Sequence, residues 1–161
     1  MPKREMVAQP DQQSIVATTF INAPRELVFK VMHDPETIPQ WWGPRVLTTT
    51  VDKMEPQAGG SWRYVLRAPG GSKQWAFHGV YHSIEAPERS IFTYEDEDLP
   101  GQVSLETTLY EEYDGGTKVT TISVHQSVEI RDAMLQSDME DGAAETMVRL
   151  EELLESMRVP S

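Results

Sequence analysis

Short runs of strand-forming residues, in which apolar and polar positions alternate, make up most of this chain. The first run is Ser14–Ile21, and later runs cover residues 46–54, 61–67, 74–84, 90–94, 103–113 and 117–128. Residues typical of turns, such as Ala68-Pro69-Gly70-Gly71 and Asp114-Gly115-Gly116, separate neighbouring runs. This spacing predicts a series of antiparallel hairpins.

Two proline signals interrupt the strand pattern directly after the first run. Ala23-Pro24 predicts a helix start, because a proline at the first helical position loses no hydrogen bond. Asp34-Pro35 predicts a second short helix, capped by Asp34, which must end before Gly43-Pro44. Trp41 and Trp42 then lie where a helix gives way to a strand. Since two adjacent indoles cannot easily both be buried, we expect this pair at the mouth of a pocket.

The hydrophobic period changes to three and four residues from Met139 onward, which predicts an amphipathic helix. A helix over residues 142–157 would be about 24 Å long at ~1.5 Å per residue, enough to lie across a curved sheet. Six to seven strands followed by such a helix predict an α+β domain in which the helix covers one face of the sheet. Its apolar face is expected to carry Met139, Ala143, Met147, Leu150, Leu154 and Met157, and its polar face Glu140, Glu145, Arg149, Glu152 and Glu155.

Several short motifs, in a fixed order along the chain, resemble those of one protein family. They are Ala-Pro at 23–24, Asp-Pro-Glu at 34–36, Trp-Trp-Gly-Pro at 41–44, Gly-Gly-Ser-Trp-Arg-Tyr at 59–64, Phe-His-Gly-Val-Tyr at 77–81 and Gly-Gly-Thr-Lys-Val-Thr at 115–120. Over residues 14–157 the chain resembles bacterial relatives of the C-terminal domain of the heat-shock-protein ATPase activator. The resemblance implies the SRPBCC (START-like) helix-grip fold. In this fold a curved antiparallel sheet of six to seven strands wraps on a long C-terminal helix, with two short helices after strand one.

The composition argues against several classes of site and partner. The 161 residues carry a net charge of −12, so the average surface repels phosphate backbones, and we expect no nucleic acid partner. The chain has no cysteine, which excludes disulfides and thiolate metal sites. No run reaches the ~20 apolar residues of a membrane span, and no signal-peptide pattern is present, so we expect a cytoplasmic protein without membrane insertion. The polar residues 1–13 are expected to be a disordered tail before a single domain over 14–161.

A curved sheet closed by a helix tends to keep an interior cavity, because its side chains cannot all meet in the middle. Such cavities bind small apolar ligands and orient them with a few polar groups. Gly79 in a strand pattern and Gly142 in a helical pattern fit a helix that crosses closely over a strand. The residues expected at the ligand site are Trp41, Trp42, Trp62, Tyr64, Trp75, Phe77, His78, Tyr81, Glu106, Met134 and Met139.

Neither a metal site nor a cofactor is predicted. His78 and His82 are four residues apart, which on a strand separates the two rings by about 13 Å, too far for one ion. The acidic run at residues 95–98 precedes Pro100-Gly101 and is expected to be a solvated turn. For general acid or base chemistry the candidates are His78, Glu106 and Thr108, since residues of central strands can face the cavity.

The sequence therefore predicts a protein that binds a small hydrophobic or amphipathic molecule between sheet and helix. Two alternatives stay open. One is an enzyme of the polyketide cyclase or dehydratase kind, in which polar groups of the cavity move protons. The other is a co-chaperone-type stress-response protein, although the family's chaperone activators carry a further N-terminal domain that the 13 residues before Ser14 cannot supply. A homodimer is also left open.

Overall fold

The computed structural model describes residues 3–137 and 139–157. Its strands are β1 (Lys3–Val7), β2 (Ser14–Ile21), β3 (Thr48–Met54), β4 (Ser61–Arg67), β5 (Gln74–Glu85), β6 (Arg89–Asp96), β7 (Val103–Tyr113) and β8 (Gly116–Val124). The α-helices are α1 (Arg25–Met32), α2 (Ile38–Trp41), α3 (Val128–Gln136) and α4 (Met139–Met157), and Pro69–Gly71 forms a 3₁₀ turn. The strands form one antiparallel sheet in the order β1-β2-β8-β7-β6-β5-β4-β3.

One face of the sheet, the inner face, packs against α4. Tyr110 and Val119 lie opposite each other on β7 and β8, are each 2% exposed, and share a core with Leu150 and Leu154 of α4. Leu105, which points the other way from β7, is 45% exposed and marks the outer face. The predicted α+β architecture, an antiparallel sheet with a C-terminal helix, is therefore confirmed.

The N-terminal residues differ from the predicted disordered tail. Residues 3–7 form β1, which pairs with β2 from Lys3 opposite Phe20 to Val7 opposite Val16. Arg4 also donates hydrogen bonds to Glu140 of α4, at 3.1 and 2.8 Å. Backbone pairing and this ion pair hold a segment whose polar composition gave no sign of burial. They also bring the sheet to eight strands within the described residues, rather than six or seven.

The short helices also begin at other places than predicted. α1 starts at Arg25 with Pro24 as its N-cap, but α2 starts at Ile38 instead of at Pro35. Asp34 does not cap this helix, because its carboxylate accepts a hydrogen bond from the Glu36 N–H in the preceding turn, at 2.9 Å.

The last predicted strand was too long. β8 ends at Val124, and the unpredicted helix α3 follows, capped by the Ser127 hydroxyl, which accepts from the Ile130 N–H at 3.1 Å. The predicted strand extended to Val128, the first residue of α3, because a short apolar run has no period long enough to distinguish the two structures.

Gly43 fastens α4 to the segment that follows α2. Its N–H donates to the Thr146 hydroxyl at 3.1 Å, and its carbonyl accepts from the Arg149 guanidinium at 2.6 Å. A glycine is needed because the backbone has φ +93° and a Cβ would lie 2.8 Å from a methyl group of Leu66. Arg45 adds a bidentate pair with Glu152 of α4, at 2.7 and 2.8 Å.

The buried face of α4 is narrower than the predicted apolar stripe. Leu150 and Leu154 are completely buried, and Met139 and Met147 are half-buried against the core. Ala143 and Met157 are exposed, and Glu151 is buried instead. The helix therefore meets the sheet mainly around its third and fourth turns.

Gly79 is closely approached by the backbone of the neighbouring strand β6, and not by a helix as predicted. A Cβ at this position would collide with the Thr93 carbonyl oxygen and would lie 2.7 Å from the indole nitrogen of Trp62. Gly142 differs, because nothing lies within 4 Å of its added Cβ. The predicted close helix crossing at Gly142 is therefore wrong.

Alanine at the two glycines should have opposite effects on stability. Gly79→Ala should lower the free energy of unfolding by about 1–3 kcal/mol or more, because the backbone at Thr93 cannot yield as a flexible side chain would. Gly142→Ala should raise it by up to about 1 kcal/mol, since alanine favours the helix and meets no neighbour. Urea denaturation midpoints measure both. Equal losses in the two variants would contradict the described surroundings.

A second pair of variants tests the buried face of α4. Leu150→Ala should lower the free energy of unfolding by about 2–5 kcal/mol, because it leaves a cavity at a fully buried position. Glu152→Ala should change it by less than about 1 kcal/mol, because its ion pair with Arg45 is more than half exposed. Similar denaturant midpoints for the two variants would show that the wrong face was assigned.

Candidate functional site

Aromatic side chains fill the inner face over β4 and β5. Trp62, Tyr64, Phe77 and Tyr81 are each 5% exposed or less, and Trp42 packs on top of them. Ring centroids are 4.7 Å apart for Trp62 and Tyr64, 5.0 Å for Trp42 and Tyr64, and 5.5 Å for Trp42 and Phe77. These are the distances of packed aromatic pairs. This part of the predicted site is therefore core.

The expectation that Trp41 and Trp42 are an exposed pair is wrong. Trp41 is the last residue of α2 and is 4% exposed. The backbone leaves the helix at Trp42, where φ is −78° and ψ is 127°, and this indole is half-buried against Tyr64 and Phe77. The change of backbone direction between the two residues lets both indoles pack.

Three further predicted residues lie on different elements. Trp75 of β5 is half-buried, with the Lys73 ammonium 4.9 Å from its ring centroid. Met134 is half-buried on α3, and Met139 packs against the core from the first turn of α4. The two methionines offer only a thioether sulfur, a weak hydrogen-bond acceptor, for orienting a ligand.

His78 points to the outer face, away from the inner-face core. Its Nδ1 lies 2.9 Å from a Glu97 oxygen, and Glu97 also accepts hydrogen bonds from Arg63 at 2.8 and 3.1 Å. The Arg63 guanidinium, with a smaller contribution from His78, lowers the pKa of Glu97 to about 2. The acidic run 95–98 is thus partly an ion-pair network, because β6 continues to Asp96 and brings the run beside β4 and β5.

Half-buried residues of the three middle strands adjoin one another on the inner face, and we refer to this group as the recess. Its members are Phe92 and Tyr94 of β6, Glu106 of β7, and Thr121 and Ser123 of β8. In the strand register Phe92 lies opposite Glu106, and Glu106 lies opposite Ser123, so these three form a row across the sheet.

Glu106 keeps accessible surface where its neighbours on the same face have almost none. Ser104, Thr108 and Tyr110 alternate with it along β7 and are each 4% exposed or less. Protein nevertheless surrounds the Glu106 carboxyl closely enough that burial raises its pKa. The Glu106 side chain is therefore enclosed by protein without being fully buried.

The Glu106 carboxyl has hydroxyl partners and no basic partner. The Ser123 hydroxyl donates to Oε1 at 2.7 Å. This bond and one from Ser104 act to lower the pKa, but burial outweighs them. Among the described residues, no Lys or Arg forms an ion pair with Glu106. The carboxyl is therefore suited to hold a proton or to accept a hydrogen bond from a bound molecule.

Two surface grooves lie apart from the recess. One, of about 420 Å³, is lined by Gln40, Arg45, Arg149, Glu152 and Leu153, and the other, of about 360 Å³, by residues 24–26 and 112–116. Neither contains a predicted site residue. In the groove of about 420 Å³, the polar groups already hold α4 in place, because Arg149 donates to the carbonyls of Gln40 and Gly43.

Over residues 3–137 and 139–157, no three His, Asp or Glu side chains are placed to hold a metal ion together. Within the same residues, none of the helices has the length and apolar character required to cross a membrane.

Comparison with known proteins supports this architecture. Residues 22–155 match the family model described as Activator of Hsp90 ATPase homolog 1-like protein. The chain belongs to this family. The family lies in the SRPBCC superfamily, as the sequence motifs predicted. Among curated proteins, the comparison finds no match.

Solved structures of bacterial proteins share the fold over nearly the whole chain. A Mycobacterium smegmatis protein has a TM-score of 0.85 at 23% identity, covering 98% of this chain and 100% of its own. A Rhodobacter sphaeroides protein has a TM-score of 0.85 at 22% identity, covering 97% and 100%. An AHSA1-like protein from Aeromonas hydrophila has a TM-score of 0.70 at 21% identity, covering 87% and 93%. At these identities the likeness establishes the fold.

Sequence reasoning selected Glu106 but missed the other four residues of the recess. Phe92, Tyr94, Thr121 and Ser123 lie in ordinary alternating strand patterns. Strand alternation would have grouped Phe92 with Tyr94 and Thr121 with Ser123. It could not have placed either pair beside Glu106, because the register between strands is a property of the assembled sheet.

Glu106→Gln should stabilise the protein in a pH-dependent way. Because the folded-state pKa of Glu106 is raised, the ionised form is disfavoured in the native state. This penalty is absent below the pKa of the unfolded chain and complete above the pKa of the folded chain. The variant should therefore raise the melting temperature at about pH 8 and change it little at about pH 4.5.

The matched control is Glu111→Gln, an exposed position on the same strand. Melting curves of both variants and the parent protein at the two pH values supply the comparison. A pH-independent shift for Glu106→Gln, or the same shift for both variants, would contradict the enclosed carboxyl.

Proposed function

We propose that this protein binds a small amphipathic molecule on the inner face of the sheet, with the recess as the site of its polar end. The observation that carries the proposal is Glu106, an enclosed yet accessible carboxyl without a basic partner in the described structure. The rest of the molecule would contact Phe92, Tyr94 and the half-buried methionines of α4, Met139 and Met147.

The energetics support a ligand at this position. Burying a carboxyl without full compensation is unfavourable, and folds keep such groups where function requires them. Glu106 has hydroxyl partners on one side and an apolar core on the other, which is the combination typical of small-molecule sites. A ligand that donates a hydrogen bond to the carboxyl would offset part of this cost.

A variant that fills the recess should remove binding without unfolding the protein. Thr121→Leu adds apolar volume at a half-buried inner-face position, so the melting temperature should be kept or raised. Thr120→Leu, the neighbouring position on the opposite face of β8, is the matched control. Isothermal titration with 2-naphthalenemethanol should give a measurable affinity for the parent and Thr120→Leu, and at least a roughly tenfold weaker one for Thr121→Leu.

Two outcomes would count against the proposal. If Thr121→Leu lowers the melting temperature strongly, the recess is filled by its own side chains and overpacking is the result. If both leucine variants bind as the parent does, the molecule binds elsewhere.

A second candidate function is catalysis of the polyketide cyclase or dehydratase kind. Glu106 supports it, because a carboxylic acid with a raised pKa beside an apolar site can donate a proton to a bound substrate and recover it. Mass spectrometry of β-hydroxy thioester or polyketide-like probes after incubation would test it. Conversion by the parent and not by Glu106→Gln is the expected result, and unchanged probes would exclude catalysis on these classes. The co-chaperone alternative stays a prediction.

A further inference from the structure

We infer that the recess selects molecules whose polar end is a hydrogen-bond donor or a cation, with aryl-alkyl amines foremost, and discriminates against carboxylates. This inference rests on the proposed function and names the class of ligand for the same site. Three features of the inner face carry it: the distribution of charge, the free acceptor capacity of Glu106, and the aromatic walls of the recess.

The basic side chains on the strands near the recess lie on the outer face. Arg63 and Lys118 are on the outer face, where Arg63 lies opposite His78 and Lys118 lies opposite Glu111. Arg4 is on the inner side and is neutralised by Glu140, with a further bond to the Thr19 hydroxyl at 3.3 Å. Glu106 is thus the recess group that carries formal charge, and its charge is negative.

Basic residues on the helices that cover the inner face are also occupied. Arg131 of α3 is 2% exposed and donates to the carbonyls of Gln9 and Ser14 at 2.7 and 3.1 Å, besides its ion pair with Asp132. Arg149 of α4 donates to carbonyls of the segment after α2. Neither of these guanidinium groups is therefore free to receive an anionic ligand in the recess. A bound carboxylate would instead lie close to a second carboxyl, and like charges in an enclosed site repel.

The hydrogen-bonding capacity of Glu106 favours donors. An ionised carboxylate only accepts, and its two oxygens offer about four acceptor positions. Ser123 uses one of these on Oε1, and Ser104 uses a second. A ligand ammonium, amine or hydroxyl can supply the bonds that remain, whereas a carboxylate or ether cannot.

The aromatic residues of the recess also favour a ligand with a cationic or hydrogen-bond-donating end. Phe92 and Tyr94 present aromatic surface beside Glu106, and the Tyr94 ring lies 5.6 Å from that of Phe77. Aromatic faces attract cations through their quadrupole and pack against other rings. In a ligand with an aryl group linked to an ammonium, the aryl group can pack against the aromatic side chains and the ammonium can bind the Glu106 carboxyl. A fatty acid has neither group, because its chain is aliphatic and its polar end is a carboxylate.

The test uses three probes that share one ring and differ in one group: 2-naphthylmethylamine, 2-naphthalenemethanol and 2-naphthoate. Binding is measured by isothermal titration of each probe into the full chain. The buffer contains about 150 mM salt, which screens long-range electrostatic attraction of the probes to the acidic protein surface. The expected order of affinity is amine, then alcohol, then carboxylate, with at least a roughly tenfold difference between the first and the last.

Two variants separate the recess from the general surface charge. Glu106→Gln should weaken the amine about tenfold and reduce the discrimination against naphthoate, because the charge is lost and the shape is kept. Glu111→Gln removes the same charge from the outer side of β7 and should leave all three affinities unchanged. A third variant, Ser123→Ala, frees an acceptor position on Glu106 and should strengthen amine binding, which gives an independent readout should Glu106→Gln fail to fold.

Each outcome has a defined meaning. Absence of binding by all three probes overturns the proposed function and this inference with it. Equal affinities, or a preference for naphthoate, overturn the inference alone and leave a ligand site of another class. An amine preference that Glu111→Gln lowers as much as Glu106→Gln does would come from surface attraction, and would also overturn the inference.

Discussion

The packing of α4 against the inner face is the contact on which the rest of the structure depends. Leu150 and Leu154 are completely buried there and join residues of the central strands in one core. Apolar burial drives the contact but does not fix the position of a helix along a sheet. The hydrogen bonds of Thr146 and Arg149 to Gly43 do so, because they allow only one register between helix and loop. The Arg4–Glu140 pair secures the other end of the helix.

The composition of the strands then divides the inner face into two parts. Large rings on β4 and β5 reach one another and close the interior, and Trp42 completes their packing. On β7 and β8 the inward residues include Ser104, Thr108, Thr121 and Ser123, whose side chains are short and polar. Of these, Thr121 and Ser123 stay half-buried, as Glu106 does. Glu106 of β7 lies in the second part and supplies the carboxyl group of the recess.

The differences from the sequence-based predictions have a common cause. Residues 3–7 and the acidic run 95–98 look solvated because both are polar, yet each is held by partners distant in sequence. Trp41 and Trp42 look too large to bury together, yet a bend in the backbone directs them into the same core. In each case local composition describes the segment correctly, and a long-range partner changes its environment.

The sequence alone determined the class of fold and most of its elements. Period-two alternation predicted the strands from β2 to β8, and the three-and-four period predicted α4, because these patterns reflect which face of an element must be buried. The sequence also indicated Glu106 as a polar residue of a central strand that could face the ligand. Only the tertiary structure decided that His78 faces outward, that the predicted aromatic residues of β4 and β5 form core, and that Phe92 and Ser123 flank Glu106. The physical reason is that strand register and the seating of a helix come from contacts between distant segments, which no single segment encodes.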